Sequence, residues 1–288
     1  MLKKLLITFA AITVVGATLC FVYRGKIREA ILESQKSNLP EAVSYAQAKK
    51  KMTFINGEIE MMEIISVEGD LKMNKSEPPL TPPLKGGEGE DASLQEQGDL
   101  PESFNLAIPF TSQAPFAVWD EIHKETCEEA SVLMAVRFVL GEDIKSANDA
   151  EGAILKIVDW EKINFGFWKD TDALKTAEIL QNYFGLKNVE VKYDPSIEDI
   201  KIAIASGNPV IVPAAGRELY NPYYTPPGPY YHMLVVKGYT KDGVITNDPG
   251  TKRGADFIYK NDIFYNALHD WNDGDVLSGR KVMIVVKK

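Results

Sequence analysis

The chain has 288 residues, a formal charge of −9 and 45% hydrophobic residues, including 12 Tyr, 12 Phe and 4 Trp. That suffices for one sizeable domain with accessory segments or for two small ones, and it predicts a well-packed core. The negative charge, with no basic stripe beyond the extreme N-terminus, excludes nucleic acid as the main partner, because phosphate binding needs a concentrated basic surface.

After a short tail, residues 1–4, the stretch "LLITFAAITVVGATLCFVY" at residues 5–23 runs 19 positions without a charge. As a helix rising about 1.5 Å per residue it spans about 28 Å, close to the hydrocarbon thickness of a bilayer. Lys3 and Lys4 precede it, and Arg24, Lys26 and Arg28 follow, so the flanking charge does not set its orientation. A signal peptide cleaved near Val15 and Ala17 is the competing reading. Leu19 makes Cys20 a poor lipidation site, since a small residue is needed there. The expectation is an uncleaved membrane anchor with the bulk of the chain extracytoplasmic.

Residues 24–73 read as a stalk or small accessory segment. Ile27, Ala30 and Ile31 give it a short apolar stripe, and a hairpin around Asn56-Gly57 is possible within residues 52–73. Residues 74–101, rich in Pro, Gly and acids, cannot bury enough surface to offset ordering entropy and read as a disordered tether. From residue 102 to 288 the composition is that of a compact domain. "VLMAVRFVL" is spaced as a helix buried on most sides. "DALKTAEILQNYFG" opens on a cap-type Asp172 and stops at Gly185. "SIEDIKIAIASGNP" offers Ser196 and Asp199 as a capping box and Gly207 as its stop. The runs "VEVKY", "PVIVPAA", "HMLVVKGY", "GVITNDP" and "KVMIVVKK" read as strands. Helices first and strands later predict an α+β layout with a mainly antiparallel sheet.

Cys127 is the one cysteine outside the N-terminal apolar run. Thr126 and Glu129 fit a Thr-x-x-Glu capping box, which makes Cys127 the first helical residue, where the helix dipole favours a thiolate. Glu128 and Glu129 oppose that by like charge. Alone, Cys127 reads equally as a quiet packing residue or a nucleophile. His123 lies four residues earlier, but the further ligands that zinc needs are not visible. His269 sits in a polar, surface-like segment. His232 heads an apolar strand whose hairpin partner returns Asp248 toward it. Asp248 falls short of the rung opposite, but Pro249 could break the ladder and let the chain curl. Asn-Asp-Pro-Gly is equally a turn in its own right. A thiol, an imidazole and an orienting carboxylate are the parts that acyl transfer requires, and the Gln113 amide could complete an oxyanion hole. This chemistry calls for no metal or cofactor.

The stretches "IPFTSQAPF", "TCEEASVLMA", "GNPVIVPAA", "YYHMLVVKGY" and "VITNDPG" occur in the order Gln, Cys, His, Asp. Over residues 104–286 the chain thereby resembles the papain-like cysteine peptidases, in particular the bacteriocin-processing (double-glycine leader) peptidases and their stand-alone bacterial relatives. The resemblance implies a papain-like fold, a peptide or protein substrate, Cys127 as nucleophile, His232 as base, Asp248 as orienting acid and Gln113 as oxyanion donor. Two features depart from the family pattern. Cys127-Glu128-Glu129 stands where Cys-Gly-Pro is common, and Gln113 precedes Cys127 by an unusually long 14 positions. No phosphate-binding Gly-Lys-Ser/Thr loop is present, so export-coupled leader processing is not implied. A cell-wall amidase, a transglutaminase-like acyl transferase and a catalytically inactive peptide-binding domain remain open. The aromatic loops around "YNPYYTPPGPYY", Phe116 and Trp119 read either as substrate subsites or as packing anchors.

Overall fold

The computed structural model describes residues 23–27, 29–51 and 100–288. The proposed hairpin at 52–73, nearly all of the 74–101 tether and the apolar run before Tyr23 lie outside the described residues. Among the described residues, no helix is long and apolar enough to cross a membrane.

A sheet of antiparallel pairs forms the centre, in the order β2-β7-β3-β4-β5-β6, with β1 added on β4. The strands are β1 (Phe104–Asn105), β2 (Asn188–Tyr193), β3 (Val210–Ala215), β4 (Tyr231–Tyr239), β5 (Gly243–Asn247), β6 (Phe257–Lys260) and β7 (Val282–Lys287). Every residue of β3 and β4 is buried, which explains why both read as continuous apolar runs rather than alternating ones: their two faces are covered.

N-terminal helical residues 23–27 and 29–37 (α1) and 45–51 (α2) precede β1. Next in the chain comes α3 (Cys127–Leu140), which packs against β4, β3 and β7, and is buried from Cys127 through Val136. Gly141 ends it in the left-handed conformation at φ 73°, its N–H returning to the Arg137 and Phe138 carbonyls. Helix α4 (Ala147–Asn164) lies against α3, buried along Ala150, Ile154, Ile157, Val158 and Glu161. Helix α5 (Ala173–Glu178) starts at Asp172, whose side chain caps Lys175 N–H, and loosens into a π turn at Ile179–Tyr183. Helix α6 (Ile197–Ala205) carries the Ser196–Asp199 capping box as read from the sequence. A seventh helix, α7 (Asn261–Ala267), follows β6.

The stretch 43–51, read above as part of a stalk or small accessory segment, packs against the domain. Val43 forms a parallel bridge with Leu106, its N–H donating to Asn105 O at 2.9 Å while its carbonyl accepts from Ala107 N–H at 2.8 Å. Ala48 is fully buried against Gly207. A Cβ at Gly207 would come within 2.8 Å of the Ala48 Cβ, and its φ of +77° independently demands glycine. Lys49 Nζ donates to Ser206 O at 3.0 Å and to Asn208 Oδ1 at 2.7 Å.

Candidate active site

His232 is the second residue of β4, where it pairs with Ala214 of β3. Its partner strand β5 ends at Asn247 opposite Val235, so the ladder stops before it reaches His232. Beyond that point the chain curls. Asp248 N–H donates to Gly254 O at 3.0 Å, an approach that needs glycine because a Cβ there would sit 1.8 Å from Asp248 O. The curl brings Asp248 Oδ1 to 2.8 Å from His232 Nε2, and Gly250 N–H donates to the same oxygen at 2.9 Å.

Asp248 Oδ2 accepts from Asn221 Nδ2 at 2.9 Å, Tyr224 OH at 2.7 Å and Tyr259 OH at 2.5 Å. Burial works against the charge of this carboxylate, yet His232 and the hydroxyl donors outweigh it and hold its pKa at about 2. Burial and the Asp248 charge together push both tyrosines well above their ordinary range, which keeps them as neutral donors. Because Asp248 is ionised and can only accept, His232 Nε2 carries the hydrogen and Nδ1 is left with its lone pair.

Cys127 opens α3 and is 6% exposed. Its Sγ–H donates to Glu128 Oε2 at 3.0 Å, and no hydrogen bond joins it to His232. The sulfur nevertheless sits at the start of β4, within the influence of the Met233 N–H, which pulls its pKa down. The opposing effects prevail: burial first, then the charge and hydrogen bond of Glu128, then Glu129, lift the thiol well above its ordinary value. Of the two opposed influences read from the sequence, desolvation and the adjacent acids outweigh the helix end.

The capping box expected at this helix is also absent. Thr126 makes no cap bond; its hydroxyl donates to Gln113 O at 3.2 Å. Glu129 turns inward to Glu161 of α4, both fully buried. Burial, and then Glu161, raise Glu129; burial lifts Glu161 to about 8, so charge is disfavoured on both carboxyls.

Gln113 is buried and ties the thiol loop to the carboxylate loop. Its N–H donates to Pro249 O at 3.0 Å, and its Nε2 donates to His123 O at 2.9 Å. The His123 ring itself lies between two carboxylates, 2.7 Å from Asp120 and 3.0 Å from Glu151. His269 bonds the Gly279 carbonyl at 2.8 Å. A cleft of about 650 Å³ lies beside the site, lined by Gln113, Trp119, Lys124, Tyr224, Gly250 and Lys252. Gly250 forms its floor beside the imidazole: a Cβ there would lie 2.9 Å from His232 Cε1.

Sequence reasoning missed Asn221, Tyr224 and Tyr259 as the donors around Asp248. A polar Asn inside an aromatic, proline-rich loop was the available signal for the first two. Tyr259 on β6 gave none.

The helix-borne thiol, the antiparallel sheet and the His–Asp pair at its margin place the domain among the cysteine-peptidase-like α+β folds. The Peptidase_C39 like family matches residues 105–273, and the chain belongs to it. A solved structure from Bacillus anthracis, assigned as a C39-like peptidase, is similar at 16% identity and a TM-score of 0.42, covering 63% of this chain and 96% of that one. No curated protein matches.

Proposed function

We propose that this chain is a cysteine peptidase that cleaves peptide bonds through a thioester on Cys127. The observation that carries the reading is the Asp248–His232 pair. With Nε2 committed to a buried carboxylate at 2.8 Å, Nδ1 is the basic nitrogen, held at the start of the strand whose next residue, Met233, lies against the sulfur. The thiol leaves Glu128 and gives its proton to Nδ1 as the sulfur attacks the carbonyl carbon. The imidazolium then protonates the departing amine, and water enters to hydrolyse the thioester, its proton again passing through Nδ1. Gln113, or the Cys127 N–H at the open end of α3, stabilises the oxyanion. The apolar run at residues 5–23 anchors the enzyme with its domain extracytoplasmic.

The test compares wild type with Cys127→Ala on casein and on purified peptidoglycan. Cleavage of casein by wild type and its loss in the variant, with an unchanged near-UV circular dichroism spectrum, is the expected result. Turnover retained by Cys127→Ala refutes the nucleophile, and cleavage of peptidoglycan alone makes the enzyme a wall amidase. The pinned, protonated thiol favours one second reading, an inactive peptide-binding domain, which wild-type cleavage excludes.

A further inference from the structure

The cleft beside Gly250 is walled by Trp119, Tyr223 and Tyr224, and the charged residues lining it are Lys124 and Lys252. Each lysine belongs to a loop that carries a site residue: Lys124 lies three positions before Cys127, and Lys252 four after Asp248. Both are exposed, and neither forms an ion pair among the described residues. Cations close by are treated differently, for Arg253 pairs with Glu29 at 2.7 Å and Lys169 with Glu121 at 3.4 Å. On a chain of net charge −9, these two cations are the charged groups lining the cleft, while Asp120, Glu121 and Glu125 share the Lys124 loop without lining it, so the cleft itself favours anions.

We propose that the cleft selects acidic peptide segments, with Asp or Glu carboxylates met by Lys124 and Lys252 and apolar or aromatic side chains lying on Trp119, Tyr223 and Tyr224. This rests on the peptidase reading and adds its substrate class. A lysine–carboxylate contact at such an exposed mouth changes affinity by about fivefold at most, falling with salt, so the preference shows in KM rather than in kcat.

The experiment uses fluorogenic peptides identical but for Glu, Gln or Lys at the positions within a few residues of the cleaved bond. Wild type is expected to rank them Glu above Gln above Lys in kcat/KM, with the differences shrinking in high salt. Lys124→Glu and Lys252→Glu should each lower the Glu/Gln ratio about fivefold, and the double variant should reverse the order. The same labelled peptides titrated into Cys127→Ala and followed by fluorescence anisotropy report the preference without turnover. Equal binding of Glu, Gln and Lys peptides, unaffected by Lys124→Glu and Lys252→Glu, overturns this inference while leaving the peptidase reading intact. Acidic preference in binding with no cleavage by wild type keeps the inference and overturns the peptidase reading.

Discussion

Replacing Glu128 by Gln tests how the thiol is governed. The carboxyl accepts the Sγ–H at 3.0 Å, and its charge is the strongest influence after burial in raising the Cys127 pKa. A full charge at that separation, in an effective dielectric of about 20, is worth about 5 kcal/mol by the Coulomb relation. Burial and Glu129 raise the Glu128 pKa itself, which removes part of that charge, so Glu128→Gln lowers the Cys127 pKa by less than the full Coulomb figure. The assay is the rate of iodoacetamide labelling of Cys127 against pH, read by peptide-resolved mass spectrometry so that Cys20 is counted separately. The midpoint of the Glu128→Gln profile should lie below that of wild type, with near-UV circular dichroism confirming an intact fold. Coincident midpoints would refute the claim that Glu128 holds the thiol protonated.

Asp248→Asn removes the ionised partner of His232 and should lower peptide turnover on the order of 10³-fold, checked by kcat/KM; a loss under tenfold contradicts the orienting role. Asp248 is depressed to about 2, so it contributes stability above the ordinary carboxylate range that disappears as pH falls from about 4 toward 2. Over that interval the loss is about 2 kcal/mol, seen as a fall in urea midpoint that Asp248→Asn should lack. Glu161, raised to about 8, acts with the opposite sign: the folded state keeps a proton that the unfolded chain releases, so stability drops as pH rises from about 4.5 to 8. Glu161→Gln should make that decline shallower, and an unchanged slope in urea midpoints between pH 5 and 8 counts against the buried acid pair. Gly207→Ala meets both a positive φ and the Ala48 Cβ and should cost about 1–3 kcal/mol in urea unfolding.

What the sequence made legible was local grammar. Ser196 and Asp199 announce α6 because both partners of the box are adjacent in the chain, and the apolar runs of β3 and β4 announce burial on two faces. Asp248 was within reach of the hairpin argument, since Pro249 has no N–H to continue the ladder. The Thr126–Glu129 box misled because the same spelling served another need: Glu129 found Glu161 across the α3–α4 interface, a partner 32 positions away (161 minus 129). Helix α4 went unassigned although Ala150, Ile154, Ile157, Val158 and Glu161 make a helical stripe, because polar residues separate them and one of its buried positions is an acid. Asn221 and Tyr259 reach Asp248 from different loops and strands, and no local pattern encodes such convergence.

Residues 43–51 are fastened beside β1, and Lys51 lies over the Phe104 ring at 5.2 Å. Lys51 and Phe104 therefore stand side by side on one edge of the domain although 53 positions (104 minus 51) separate them in the chain. Lengthening or trimming the chain between them changes the closure entropy only logarithmically. Helix α1 lies on the domain as well, with Leu32 packed against the core and Glu29 paired to Arg253, so the residues ahead of Val43 add to its surface.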